Sequence, residues 1–225
     1  MTKYFLIPLT FVCLLSLTGC PSELSESVDQ SKIWTAYEVL YNKNENKTYA
    51  LASFRFGNGF GTVLQLSSPS EVRFNGDLLA YNNLTGLYER TYAGLIAGGT
   101  FVFKDTKGTT YTNTLASPTA IAFADAPNPI PMQRGMDYPL TWVGTALSAN
   151  EDVAILLGTK LFYQINTGAT SITLGGAVLN DLTAGAYIAY MDRYSISLTP
   201  AQTPSAGGIT TVKYRTANKN VQLSN

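Results

Sequence analysis

The chain has 225 residues, with 15 Lys+Arg, 15 Asp+Glu, two Cys and no His. Without histidine there is no imidazole base, no Ser-His-Asp or Cys-His catalytic pair and no His metal ligand. Zero net charge removes the electrostatic basis for nucleic-acid binding, and an apolar share of 45% is too high for a disordered chain.

Lys3 is the only charged residue before Glu23. Residues 4–15 are largely apolar and too short to cross a bilayer, which takes about 20 apolar residues. They have the make-up of a signal-peptide core. The run ends in Leu17-Thr18-Gly19-Cys20, which resembles the lipobox of bacterial lipoproteins. The resemblance implies a signal peptide over 1–19, cleavage between Gly19 and Cys20, and acylation (palmitate among the chains) of the Cys20 sulfur and its new amine. Two or three acyl chains then hold the protein to the bilayer, since one chain alone binds only marginally. By the same resemblance Pro21 implies the outer membrane, because enteric bacteria use Asp there for inner-membrane retention. The competing reading is a simple export signal, or a short anchor with an incidental Cys. Cys13 leaves with the signal, so the mature part has no thiol for a disulfide, a nucleophile or a metal site.

Removal of residues 1–19 leaves 206 residues with 14 basic and 15 acidic side chains. Residues 20–32 form the lipidated Cys and a polar stretch without periodicity, expected to be a flexible tether spanning about 20 Å. From Ile33 the pattern is short β-type runs broken by turn residues. Residues 34–41 and 48–56 flank the Asn-rich stretch 42–47, which reads as a hairpin. Residues 60–66, 71–74, 100–104 and 109–113 follow, the last two around Asp105-Thr106-Lys107-Gly108, where Gly suits a tight turn. Pro127, Pro129 and Pro131 favour extended geometry and cannot donate ladder bonds, so residues 124–131 are expected to be a linker. Strands are expected at 137–143, 152–157, 160–166, 171–174, 186–191, 194–198 and 209–215; 146–157 is the best helix candidate but suits a buried strand equally.

Residues 72–79 and 172–179 share an apolar-polar-apolar-turn-Gly-x-apolar-Leu pattern at an offset of 100 residues. That period is the size of an immunoglobulin-like sandwich. Each half holds about seven strands and lacks the Cys…Trp…Cys core of antibody domains. At the level of pattern the chain resembles bacterial Ig-like or fibronectin-III-like modules. The expected fold is all-β, with two tandem Ig-like β-sandwich domains at 33–125 and 126–225. One larger sandwich or a jelly roll is the other reading.

No Ser precedes a Lys by three residues, and there is no Gly-x-Ser-x-Gly elbow or Walker-type loop. Two carboxylates alone suffice for glycoside hydrolysis, which leaves Glu71, Asp77, Glu89, Asp105, Glu151 and Asp152 to be weighed against solvated loop and strand-end charges. Asn42, Asn44 and Asn46 alternate as oxygen donors, but Lys47 stands where a calcium loop has Gly. Tyr81, Tyr88 and Tyr92 near Asn82 and Asn83 form a candidate ligand face, since Tyr offers contact area with little entropy loss; ordinary strand tyrosines are the alternative. Trp34 and Trp142 are expected in the core.

The resulting expectation is a non-enzymatic binding or structural module of the bacterial envelope. It has no cofactor, is anchored through acylated Cys20, and contacts another envelope protein or a glycan and no nucleic acid. A carboxylate-based hydrolase of envelope polysaccharide, or an accessory subunit of a secretion or adhesion assembly, are the alternatives.

Overall fold

A computed structural model describes residues 22–124 and 127–225; residues 1–19, Cys20 and Pro21 lie outside the described residues. Ten strands make the first half: β1 (Glu23–Leu24), β2 (Ile33–Asn42), β3 (Lys47–Phe56), β4 (Leu64–Gln65), β5 (Glu71–Phe74), β6 (Asp77–Leu78), β7 (Ala80–Asn82), β8 (Leu87–Ala93), β9 (Gly99–Lys104) and β10 (Thr110–Leu115). The hairpin β2–β3 forms as its pattern predicts. Alternation turns Ile33, Tyr37, Val39, Ala50, Ala52 and Phe54 inward. The turn is closed by the Asn44 N–H donating to Asn42 Oδ1 and by Asn46 at φ +50°, a conformation Asn tolerates. A second sheet, β10-β9-β5-β6, covers this face. Tyr37 stacks on Phe101 at 5.0 Å, and Phe54 meets Phe103 at 4.6 Å.

The second half contains β11 (Ala122–Phe123), β12 (Ile130–Gln133), β13 (Tyr138–Val143), β14 (Glu151–Leu157), β15 (Lys160–Gln164), β16 (Ser171–Leu174), the single helical turn α1 (Gly176–Leu179), β17 (Gly185–Ser197), β18 (Gly208–Arg215) and β19 (Lys219–Ser224). Sheet β11-β13-β16 faces the sheet that contains β12, β19, β17, β14 and β15. The entering chain switches sheets: β11 pairs antiparallel with β13, then β12 pairs parallel with β19. This is an Ig-type sandwich, and Trp142, Ile155, Met191 and Leu223 fill its core. In the ambiguous stretch 146–157, residues 146–150 are loop and turn and Glu151–Leu157 form the strand β14, with Val153, Ala154, Ile155 and Leu157 buried.

The halves are not merely consecutive. β17 is 13 residues long; residues 185–189 pair with β19 and residues 192–197 pair with β18. β18 then runs parallel to β2 in continuous register from Gly208↔Thr35 to Arg215↔Asn42. One sheet therefore passes from β12 through β19, β17, β18, β2, β3 and β8 to β7. The loop 198–207 adds to the joint. The Thr112 N–H donates to Gln202 Oε1 (2.8 Å), the Ala206 N–H to Ser31 O (3.0 Å) and the Thr35 N–H to Gly207 O (3.2 Å). At the far end the Asn218 N–H donates to Asn44 Oδ1 at 2.7 Å, and Tyr41 joins the second core against Tyr214.

Four expectations change. Residues 23–32, expected as a free tether, are docked: β1 pairs parallel with β4, and Ser25 and Gln30 are buried. Ser25 Oγ accepts the Ser67 N–H, while Gln30 Nε2 donates to Ser25 O and Gln30 Oε1 accepts the Thr106 N–H. Polar residues can be buried when each atom finds such a partner. The proline stretch expected as a linker ends as the edge strand β12, with Ile130 and Met132 buried; Pro131 is tolerated there because an edge strand need not donate on both sides. Trp34 falls on the outward parity of β2 and lies under Gly59, where an added Cβ would stand 3.2 Å from its ring, while Trp142 is in the core as expected. The 100-residue echo is local. Val72, Phe74 and Leu79 are buried like Ile172, Leu174 and Leu179, but β5 pairs with β9 and β6 whereas β16 pairs with β13 and leads into α1.

Gly208 sits at the start of the joint, and a Cβ there would meet Thr35 O and Oγ1 at 2.5 Å. Gly208→Val is expected to lower unfolding stability by about 1–3 kcal/mol through overpacking, read as a fall in the urea midpoint; an unchanged midpoint would mean that the first rung of the joint carries no load.

Candidate functional site

The large sheet has one face on the cores and one face toward solvent. Parity fixes what the outer face carries. On β17 the residues Ala189, Met191 and Arg193 point inward, so Tyr190, Asp192, Tyr194 and Ile196 point outward. Pairing extends these into cross-strand rows. Tyr163, Ala154, Asp192 and Arg215 form one row, Tyr194, Lys213, Leu40 and Tyr49 a second, and Ile196, Thr211, Glu38 and Leu51 a third. The second and third rows cross the joint between the halves. A shallow depression of about 460 Å³ lies over this region, lined by Glu38, Leu161, Tyr163, Tyr190, Tyr194 and Lys213 among others. Tyr163 is 58% exposed and Leu161 46%, a share of aromatic and apolar surface that suits a protein or glycan contact.

Two ion pairs lie on this face. Arg215 grips Asp192 with two hydrogen bonds of 2.8 and 2.7 Å and lies over the Tyr190 ring, 4.2 Å from its centroid. The Asp192 carboxylate holds the Arg215 guanidinium above its ordinary pKa. Lys213 Nζ is 3.3 Å from Glu38. Bidentate and stacked geometry of this kind fixes side-chain orientation. It gives a surface of set shape, with the Asp192 and Glu38 carboxylates held in ion pairs.

Beneath the face, at the meeting of the halves, Arg193 is 2% exposed and fully engaged. It donates to both oxygens of Glu151, to Thr145 O (2.7 Å) and to Ala146 O (3.1 Å). Burial alone would raise the Glu151 pKa, but the Arg193 and Ser148 hydrogen bonds outweigh it and hold the carboxyl at about 2. Glu151, a possible catalytic carboxylate by sequence, is thus one half of a structural ion pair.

Of the other candidate carboxylates, all but Asp152 have partners for their side chains. Glu71 is paired with Arg73 at 2.8 Å. Asp105 caps its own turn, accepting the N–H groups of Lys107 and Thr109. Glu89 accepts from Asn82, and Asp77 lies 3.1 Å from the Tyr92 hydroxyl. Asp152 belongs to the outer face opposite Tyr194. Asn42, Asn44 and Asn46 spend their side-chain oxygens within the hairpin and on Tyr41 and Asn218. Among the described residues no three His, Cys, Asp or Glu side chains gather as a metal site.

The Tyr/Asn ligand face divides between two sides of one hairpin. Tyr81 is directly opposite Tyr88, and Tyr88 and Tyr92 share a side, so all three tyrosines turn toward the first core. Tyr88 is buried, its hydroxyl accepts the Leu66 N–H at 2.6 Å, and burial pushes its pKa up to about 12. Asn82 stays on the other side, bonded to Glu89 and to the Leu84 N–H, and Asn83 is exposed in the turn. Leu161, Tyr163 and Ile165 are not among the sequence candidates, although their strict alternation with Phe162 and Gln164 marks one face of a strand.

No family model matches the sequence, and no curated protein sequence matches it. Among solved structures, fibronectin(III)-like modules of Clostridium thermocellum CbhA align at a TM-score of 0.25 and 8% identity, covering 85% of this chain and 94% of theirs. A 1.5-MDa bacterial ice-binding adhesin aligns at 0.24 and 12%, over 87% of this chain and 67% of that one. A Ca²⁺-stabilized ice-binding adhesin of an Antarctic bacterium aligns at 0.26 and 10%, over 85% and 49%. TM-scores this low carry no conclusion about function.

Removing one partner of a buried ion pair costs about 3–5 kcal/mol, so Arg193→Met is expected to lower the denaturation midpoint sharply, read by urea titration. Because the folded Glu151 pKa is depressed, its stabilisation is complete above the ordinary value of 4.5 and is lost as pH falls from there toward about 2. The wild-type thermal midpoint should fall through that window, and Glu151→Gln should flatten the fall. By contrast Tyr163→Ser, on the open face, should shift stability by no more than about 0.5 kcal/mol.

Proposed function

We propose that the chain is a lipoprotein of the bacterial envelope, held through acylated Cys20 in the outer membrane, that works as a non-catalytic binding or structural module. In this reading residues 33–125 and 126–225 are two Ig-like modules that form one rod-like display unit. The observation that carries the proposal is the outer face of the continuous sheet. It crosses both halves, exposes Tyr163, Leu161 and Ile196, and holds four of its charged side chains in the pairs Arg215–Asp192 and Lys213–Glu38. Such a surface suits recognition by shape and apolar contact, with an envelope protein or a glycan as ligand. Carboxylates committed to Arg193, Arg73, Arg215 and Lys213 speak against the hydrolase alternative.

Two experiments test this. Cys20→Ala is expected to abolish incorporation of labelled palmitate and to leave the precursor uncleaved; normal maturation and membrane retention of that variant would overturn the anchor. A photo-cross-linking side chain at Tyr163 in intact cells is expected to capture a discrete partner, whereas one at Met136, 60% exposed in the turn after β12, should not. Equal capture at both positions would remove the outer face as the recognition surface.

A further inference from the structure

The most exposed large apolar side chains collect at one end of the molecule. Phe60 is fully exposed, at 100%, Leu84 at 94% and Leu198 at 74%, above every other exposed large hydrophobic residue among those described. Register puts them together. β2 starts at Ile33 opposite Phe56, the last residue of β3, so the loop after β3 lies at the end where β2 begins. β8 pairs antiparallel with β3, with Tyr88 opposite Ala52, so the turn 83–86 before it projects toward the same end. The two loops touch: a Cβ on Gly86 would stand 3.3 Å from Val63. β18 starts at Gly208 opposite Thr35, so the loop 198–207 that precedes it is also at this end.

The chain enters at this same end. The Glu23 N–H donates to Val63 O at 2.9 Å, and Glu23 pairs with Leu64. Cys20 stands three positions before Glu23, and an extended chain spans at most about 3.3–3.6 Å per residue, so about 10 Å in all. The docked segment 23–32 removes the slack that a free tether would supply. The second half extends from the other end, where β17 leaves β18 to pair with β19.

We infer that this end of the first half is a membrane-seating surface, with Phe60 and Leu84 entering the interfacial layer of the bilayer and Leu198 at its rim. The inference rests on the lipid-anchor reading, because the short link from Cys20 is what brings the loops to the lipid. Aromatic and aliphatic side chains on projecting loops are the groups that partition into that layer. The nearby charges are mixed, with Glu23, Glu26 and Asp29 beside Lys32 and Lys107. Apolar insertion, not attraction to anionic lipid, drives the contact, and zwitterionic lipid suffices. The seating fixes the tilt of the rod, and with it the height at which the outer sheet face is presented.

The mature chain offers no thiol besides acylated Cys20, so Phe60→Cys, Leu84→Cys and Tyr163→Cys each give one unique site for a polarity-sensitive fluorophore. The full-length lipidated protein is reconstituted in phosphatidylcholine vesicles, with acylation verified by mass and by flotation. Labels at 60 and 84 are expected to shift to the blue and to be quenched by doxyl-labelled lipid, while the label at 163 stays sensitive to aqueous iodide. If the protein is acylated and floats but labels 60 and 84 stay iodide-sensitive, the seating surface is overturned and the anchor stands. If the protein is not acylated, both fall. Burial of labels 60 and 84 only in the presence of another envelope protein would assign these loops to a protein contact and overturn the lipid assignment.

Discussion

The parallel pairing of β18 with β2 is the constraint on which the molecule is organised. Parallel neighbours need a long connection, and here the connection takes most of the chain, from residue 42 to residue 208. β17 pairs with β14 along one edge and divides its other edge between two partners, β19 within its own sandwich and β18 at the joint. Eight consecutive residue pairs, closed at one end by Gln202, Ala206 and Gly207 and at the other by Asn44 and Asn218, join two separate hydrophobic cores under a single sheet. Two sandwiches on a flexible link would be free to reorient; a shared ladder does not allow that.

The functional features follow from that sheet. Its inner face is consumed by two cores and by the Arg193–Glu151 pair between them. Its outer face runs unbroken from Tyr163 to Leu51 because the same ladder sets parity on both sides of the joint. Its two ends differ, since the first half and the entering chain occupy one and the second half the other. The open outer face, the union of the two cores and the end at which the chain enters all derive from one register.

Much of this is legible in the sequence, and the rest is hidden for physical reasons. Period-two alternation in Ile33–Asn42 and Lys47–Phe56, with an Asn-rich turn between, is local information and reveals the hairpin. The Asp105–Gly108 turn is equally plain. The docking of 23–32 is not, because composition reports polarity and not whether Ser25 and Gln30 find partners in Ser67 and Thr106. Trp34 departs from expectation because its size suggests core, whereas its place between Ile33 and Thr35 puts it outside. Three tyrosines and two asparagines are close in sequence, yet a strand sends neighbours to opposite faces, so they do not make one surface. The joint itself is not a local property, since register between strands so distant in the chain is set by global packing.

Amide hydrogen exchange across the joint tests the central claim most directly. Ladder amides of β2 and β18, such as Val39 and Val212, are expected to be protected as strongly as those of β14 and β17 in the second core, because opening the joint exposes both. Rapid exchange in β18 while β14 and the β2–β3 hairpin remain protected would show two independent sandwiches and contradict the single-sheet account.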